Sequence, residues 1–212
     1  MNVLMALVKS DFIKLLSLRK TLLLFGTVTL AFALLPQMLI FSFAVALYGL
    51  LYSALAYDDS NAAFNWYGAL PVNRRQIFQA KYLFALALIL LLVLVTGALS
   101  GMSTLVTSRY SPNMLLASMT IAVTGGILFT AITLPLTLCL GSAKSRIYAL
   151  LLYIGCFAAM GQADPAWLAA IVEIPWFGFP FLPLLFAGAC LLLALGYLWG
   201  VGRFTRKEFR TE

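Results

Sequence analysis

Between Lys20 and Asp58 the chain carries no charged residue. Nearly every position in that run is apolar, so a single straight helix through it would overshoot a hydrocarbon core about 30 Å thick. Pro36-Gln37 lies near the middle. Proline interrupts a helix and glutamine avoids lipid. The run therefore predicts two short helices, about 20–35 and about 38–57, joined by a tight turn. The composition points the same way. The 212 residues are 63% hydrophobic and 10% charged, where soluble domains carry about 25% charged residues. Mean hydropathy is +1.01. In lipid the backbone must satisfy its own hydrogen bonds, which leaves helices or closed barrels. The apolar runs are continuous, not alternating, which excludes a barrel. The expected fold is an all-α polytopic membrane protein, one transmembrane domain over residues 1–212.

The remaining runs extend this reading. Residues 1–20 place Val3, Leu4, Leu7, Val8, Phe12, Leu15 and Leu16 at helical spacing, with Lys9, Ser10, Lys14 and Ser17 largely elsewhere around the wheel. That pattern predicts an amphipathic helix in the headgroup layer. The apolar run after it is too long for a cleaved signal peptide. Further spans are expected at 82–107, 114–141, 147–163 and 181–202, giving six. Gly125-Gly126 and Pro135 mark points of bending or close packing in the fourth. Residues 164–180, DPAWLAAIVEIPWFGFP, are amphipathic and proline-bounded, an interfacial or re-entrant element. Residues 203–212 form a charged, exposed tail.

Charge sets the orientation. With both termini in the cytoplasm, thirteen of the fourteen bases lie inside and only Arg109 outside. Cytoplasmic loops collect Lys and Arg, so this bias also explains the net charge of +7 without nucleic acid. Trp167, Trp176 and Trp199 fall near expected interfaces, as an aromatic belt would place them.

The chemistry that is missing narrows the function. No expected span holds Asp, Glu, Lys, Arg or His, which argues against a proton-driven carrier. The chain has no His and no CxxC. Cys139, Cys156 and Cys190 all lie in apolar runs and read as small core hydrophobes. No metal site is expected, and the Ser residues in the spans lack a base for hydrolysis. The G-x-x-x-x-G-K-[ST] pattern is absent, so any driving ATPase must be another polypeptide. Gly97-x-x-x-Gly101 and Gly196-x-x-x-Gly200 allow close helix approach, either inside the chain or at a dimer seam.

The longest polar interruption, Asp58 to Tyr82, remains. Ser60 or Asn61 can cap a short helix with Phe64, Trp66, Tyr67 and Leu70 on an aromatic face. Gly68 and Pro71 end it, and Asn73 caps a second helix, RRQIFQAKY, that runs into the third span. One reading is a membrane-surface helix with Arg74, Arg75 and Lys81 facing anionic lipid. The other is a docking knob with aromatic anchors and charged flanks.

An amphipathic N-terminal helix, six expected spans and an acidic-aromatic segment ending in Leu70-Pro71-Val72-Asn73-Arg74 resemble the type-2 permeases of bacterial ATP-binding-cassette (ABC) transporters. Asn73 stands where that family usually has Ser or Thr. The resemblance implies that 1–20 is an elbow helix and that 58–81 is a cytoplasmic coupling loop seated on a separate ABC ATPase subunit. The ATPase-facing residues would be Asp58, Asp59, Trp66, Leu70, Pro71, Arg74 and Arg75. It also implies a second permease subunit, the same chain or a related one, with ATP and Mg bound in the ATPase and none in this chain. It places the protein in the bacterial plasma membrane. Small permeases of this size are similar to exporters of amphipathic peptides, including those of the phenol-soluble modulins. An uncharged path suits amphipathic peptides, lipids or hydrophobic drugs. The competing expectations are a non-transporting membrane anchor or assembly factor, and a secondary carrier.

Overall fold

The computed structural model describes residues 3–33, 39–60, 72–107, 112–141, 144–151, 154 and 182–206. Six labelled helices organise them: α1 (Val3–Ser17), α2 (Arg19–Ala33), α3 (Leu39–Ser60), α4 (Arg74–Thr107), α5 (Pro112–Leu140) and α6 (Leu182–Arg206). Residues 144–151 are also helical. The core is one apolar cluster running through α3, α4 and α5, with Phe43, Leu47, Phe84, Leu88, Leu134 and Leu138 all buried. Buried hydroxyls within it return to their own helices. Thr96 donates to the Leu92 carbonyl at 2.6 Å, and Thr130 to Gly126 at 2.8 Å. Ser42 instead crosses from α3 to the Thr29 carbonyl of α2 at 2.9 Å.

Four helices are long and apolar enough to cross a membrane: Leu39–Asp59, Arg74–Ser103, Ser118–Leu140 and Pro183–Thr205. A fifth crossing arises if α1 and α2, bent by 82°, count as one broken span. The count of six is an expectation beyond the described residues. The expected span at 147–163 is described only at its start, and the 164–180 element lies outside them. Alone, α2 has 15 residues, short of the roughly 20 a span needs.

The N-terminal helix packs largely by the face its apolar pattern suggests, with changes at its edges. Leu15 and Asp11 are buried, while Met5, Ile13 and Leu16 are exposed. The inward line is Leu4, Leu7, Val8, Asp11 and Leu15, at i, i+3/i+4 spacing, with an acid in its middle. Leu16 therefore leaves the packed face and Lys14 turns toward it. The start of the expected tail also differs. Helix α6 runs on to Arg206, and Phe204 is buried against Phe78 at a ring separation of 5.6 Å.

Helix α4 begins where Asn73 caps it. The Asn73 side-chain oxygen accepts from the Arg75 N–H at 3.2 Å. The Asn73 N–H donates to the Gln76 side-chain oxygen at 3.2 Å. This is a reciprocal capping box. At the other end of the hairpin, α5 closes on Gly141 with φ 86, the left-handed geometry that glycine adopts without a Cβ clash.

The glycine pairs divide. Within the chain, Gly196 and Gly200 let α6 approach its neighbours. A Cβ on Gly196 would lie 2.5 Å from the Ala131 carbonyl oxygen of α5, and one on Gly200 2.4 Å from the Phe78 ring of α4. Across the α4–α5 contact, a Cβ on Gly97 would meet the Met119 methyl at 2.9 Å, whereas one on Gly101 would meet nothing within 4 Å. Gly196→Leu should therefore lower the stability of the detergent-solubilised chain by about 1–3 kcal/mol through overpacking. Gly101→Ala should leave it unchanged or raise it by up to about 1 kcal/mol through helix propensity. Thermal unfolding of the two variants beside the wild-type chain checks both.

Candidate functional site

Lys9, Lys20, Asp59 and Arg75 are exposed at the edges of the apolar runs, but four other charges converge. Three helices carry them to one point. Helix α1 contributes Asp11 and Lys14, three residues apart and so on neighbouring positions of one face. The last turn of α3 contributes Asp58. The second turn of α4 contributes Lys81. Both α3 and α4 extend beyond the expected spans, and it is these extra turns that hold Asp58 and Lys81. Asp11, Asp58 and Lys81 are 2%, 0% and 3% exposed.

The four groups form a closed ring of alternating sign. Lys14 Nζ donates to Asp11 Oδ1 at 3.1 Å and to Asp58 Oδ1 at 2.6 Å. Lys81 Nζ donates to Asp11 Oδ1 at 2.7 Å and also to Asp58 Oδ2. Two carboxylates and two ammonium groups cancel, so the ring buries no net charge. Isolated ions would cost several kcal/mol each to desolvate, and the pairing offsets that. The stabilisation is conditional, because removal of one member strands a partner in an apolar surround.

Position gives the ring its importance. Asp58 opens the polar segment and Lys81 is the last charge before the third apolar run, so the ring clamps both roots of residues 58–82 to each other and to α1. Further contacts tie the same end of the bundle to α6. Arg74 Nη1 donates to the Thr205 carbonyl at 3.3 Å, satisfying a terminal helix oxygen. Gln79 Nε2 donates to Tyr197 Oη at 2.9 Å. Phe78, Tyr82, Tyr197 and Phe204 form an aromatic cluster between α4 and α6. One atom in it is unsatisfied: Tyr82 Oη is buried without a hydrogen-bond partner among the described residues. Such an orphan costs about 1–3 kcal/mol.

Of the residues expected to meet a partner ATPase, Asp58 faces inward into the ring. Asp59 is exposed beside the α5 turn, its Oδ2 3.6 Å from the position a Cβ would take on Gly141. Arg74 is engaged with α6, and Arg75 is exposed. Trp66, Leu70 and Pro71 lie outside the described residues. Lys81, which one of the two sequence readings puts at anionic lipid, is buried in the ring, because α4 turns that face toward α1 and α3. The sequence pattern does not single out Asp11, and it puts Lys14 on the basic face of a helix in the headgroup layer. A signal was present: Asp11 sits in the middle of the Leu4–Leu7–Val8–Leu15 stripe, where an unpaired acid would be costly.

The ring contains no nucleophile with a base, and the described residues hold no cluster of three metal-ligating side chains. Lys81→Met alone should destabilise the chain by about 3–5 kcal/mol, because it leaves two carboxylates against one ammonium group. Asp58→Leu combined with Lys81→Met removes one charge of each sign and should recover most of that loss. Chemical or thermal unfolding of the two variants distinguishes a ring from a set of independent surface contacts.

Comparison with known proteins supplies the context. No curated protein and no solved structure matches the chain. The family model for ABC-2 family transporter protein matches residues 6–198. That range takes in five of the six labelled helices almost entirely, together with all four members of the ring. The chain therefore belongs to the ABC-2 transporter family, whose members are membrane permease subunits of ABC transporters.

Proposed function

We propose that this permease exports a hydrophobic or amphipathic substrate, a peptide, lipid or drug, using ATP hydrolysed by a separate ABC ATPase subunit. The ATPase seats on the segment between Asp58 and Lys81, and a second permease subunit, identical or related, completes the path. The chain lies in a bacterial plasma membrane with both termini in the cytoplasm. The elbow, six spans and coupling helix are the architecture this reading requires. Peptide export of the phenol-soluble-modulin kind is the finer form of the substrate assignment. It rests on the resemblance and on the absence of charge within the long apolar runs.

The observation that carries the reading is the buried ring at the roots of the polar segment. A loop that receives force from a soluble motor must pass it to the spans without unfolding. The ring joins α3 and α4 where they leave that loop, and joins both to α1. Asp58 then serves as a brace behind the contact surface, with Asp59, Trp66, Leu70, Pro71 and Arg75 toward the ATPase. Arg74 holds the end of α6 and steers its neighbour. Charged and aromatic groups flanking a docking knob suit an interface in which a few anchors dominate.

Leu70→Asp combined with Arg75→Glu should abolish association with the partner ATPase while leaving membrane insertion and the thermal stability of the isolated chain intact. Arg75 is preferred to Arg74 for this test because Arg74 also supports α6. Co-purification of the ATPase with the double variant, at wild-type yield, would sink the assignment of this surface. Mass spectrometry of molecules retained by the intact complex identifies the substrate class. A bound sugar or inorganic ion would overturn the amphipathic assignment.

A further inference from the structure

Tyr82 follows Lys81 on α4 but faces the opposite way, toward α5 and α6. Its ring is held by Phe78 at 5.0 Å and by Tyr197, edge-on, at 5.3 Å. The residue is 6% exposed, and its hydroxyl has no partner among the described residues. A few ångströms away stands an acceptor with a defect of its own. Pro135 lies inside α5 and has no N–H, so the Ala131 carbonyl lacks its ordinary donor four residues on. Gly196 of α6 stands beside both. The point where its Cβ would stand is 2.5 Å from the Ala131 oxygen and 3.6 Å from Tyr82 Oη. Glycine leaves that point empty, and a Cβ there would overlap the Ala131 oxygen.

We propose that Tyr82, Ala131 and Gly196 form a two-position joint. In the arrangement described here the phenol is unpaired. In the second, α6 shifts along its glycine face and Tyr82 donates its hydroxyl proton to the Ala131 carbonyl. The first position carries the penalty of a buried orphan donor, so the second gains a hydrogen bond that the first lacks. Two arrangements that differ by one such bond are close enough in free energy for a modest input to exchange them. Helix α6 suits the moving part. In its most apolar stretch 11% is buried, against 61% in α5. Its inward contacts lie along one line, Ala189, Gly200 and Phe204. The ring and the joint occupy successive residues of α4, so a displacement of the Lys81 side is passed to Tyr82 by the helix itself.

Tyr82→Phe tests the joint, on the isolated chain and in its complex with the ATPase. Without the hydroxyl, the described position loses its unsatisfied group and the second position loses its bond. The isolated variant should therefore unfold about 2–4 °C above wild type, while ATP-driven activity of the complex falls about tenfold. Pro135→Ala returns an N–H to the Ala131 carbonyl and removes the need for the phenol. It should show the same loss of activity, and the double variant should lose no more than either single one, as coupled residues do. An unfolding temperature for Tyr82→Phe at or below that of wild type overturns the joint. So does unchanged activity in that variant, or a double variant whose loss is the product of the single losses. The activity measurement rests on the permease reading, but the unfolding measurement does not. If the wild-type chain recruits no ATPase, the proposed function fails, and the unfolding temperatures alone decide the joint.

Discussion

Two carboxylates and two ammonium groups are buried together where α1, α3 and α4 meet, and the arrangement of that end of the molecule follows from their need for one another. A charge taken out of water without a partner is among the most costly features a fold can contain. Here each charge has two partners of opposite sign, and they come from three helices. The ring can close only when α1 lies across the ends of α3 and α4, with Asp11 turned inward. This explains why α1 does not continue into α2 but bends away from it by 82°. The packed face of α1 is its apolar stripe, with Asp11 set into the middle of it.

The remainder of the bundle relies on a different principle. Away from the ring, the helices meet through small residues and through hydroxyls that bond to their own backbone. Gly49 receives the Phe25 ring, Gly126 receives Phe43, and Gly196 and Gly200 receive α5 and α4. In a lipid surround, apolar side chains gain little by exchanging lipid for protein, so close packing carries more of the association. The two regimes lie side by side on α4. Lys81 belongs to the electrostatic clamp, and Tyr82, the next residue, belongs to the close-packed joint with α5 and α6. A rigid helix that carries both groups in one turn ties the polar segment's roots to the far side of the bundle.

Much of this was open to sequence reading. Continuous apolar runs dictated membrane helices, and Asn73 marked the start of α4. The lack of a P-loop pointed away from nucleotide binding in this chain. The charged ring was harder to see. Asp58 reads from sequence as a contact for a partner ATPase, and Lys81 as a group facing anionic lipid in one of two readings. Lys14 reads as part of the basic face of a helix in the headgroup layer. Helical spacing predicts which residues share a face, but not which face will find a partner. Asp11 alone broke the pattern, as an acid within an apolar stripe.

The sequence by itself therefore determined the helices and their lipid solvent, because hydrophobic length and the need to satisfy backbone hydrogen bonds admit little else. It also determined that the polar segment from Asp58 to Tyr82 would interrupt them. Only the tertiary structure decided the destinations of the side chains at those boundaries. Asp11, Lys14, Asp58 and Lys81 are spread over 71 positions of the chain, and their mutual attraction has meaning only after three helices are docked. The same holds for Gly196. Its spacing from Gly200 announced a close contact, but the proline-altered turn of α5 and the phenol of α4 that it faces belong to other helices. Local pattern encodes what a segment can bury, and the fold decides against what.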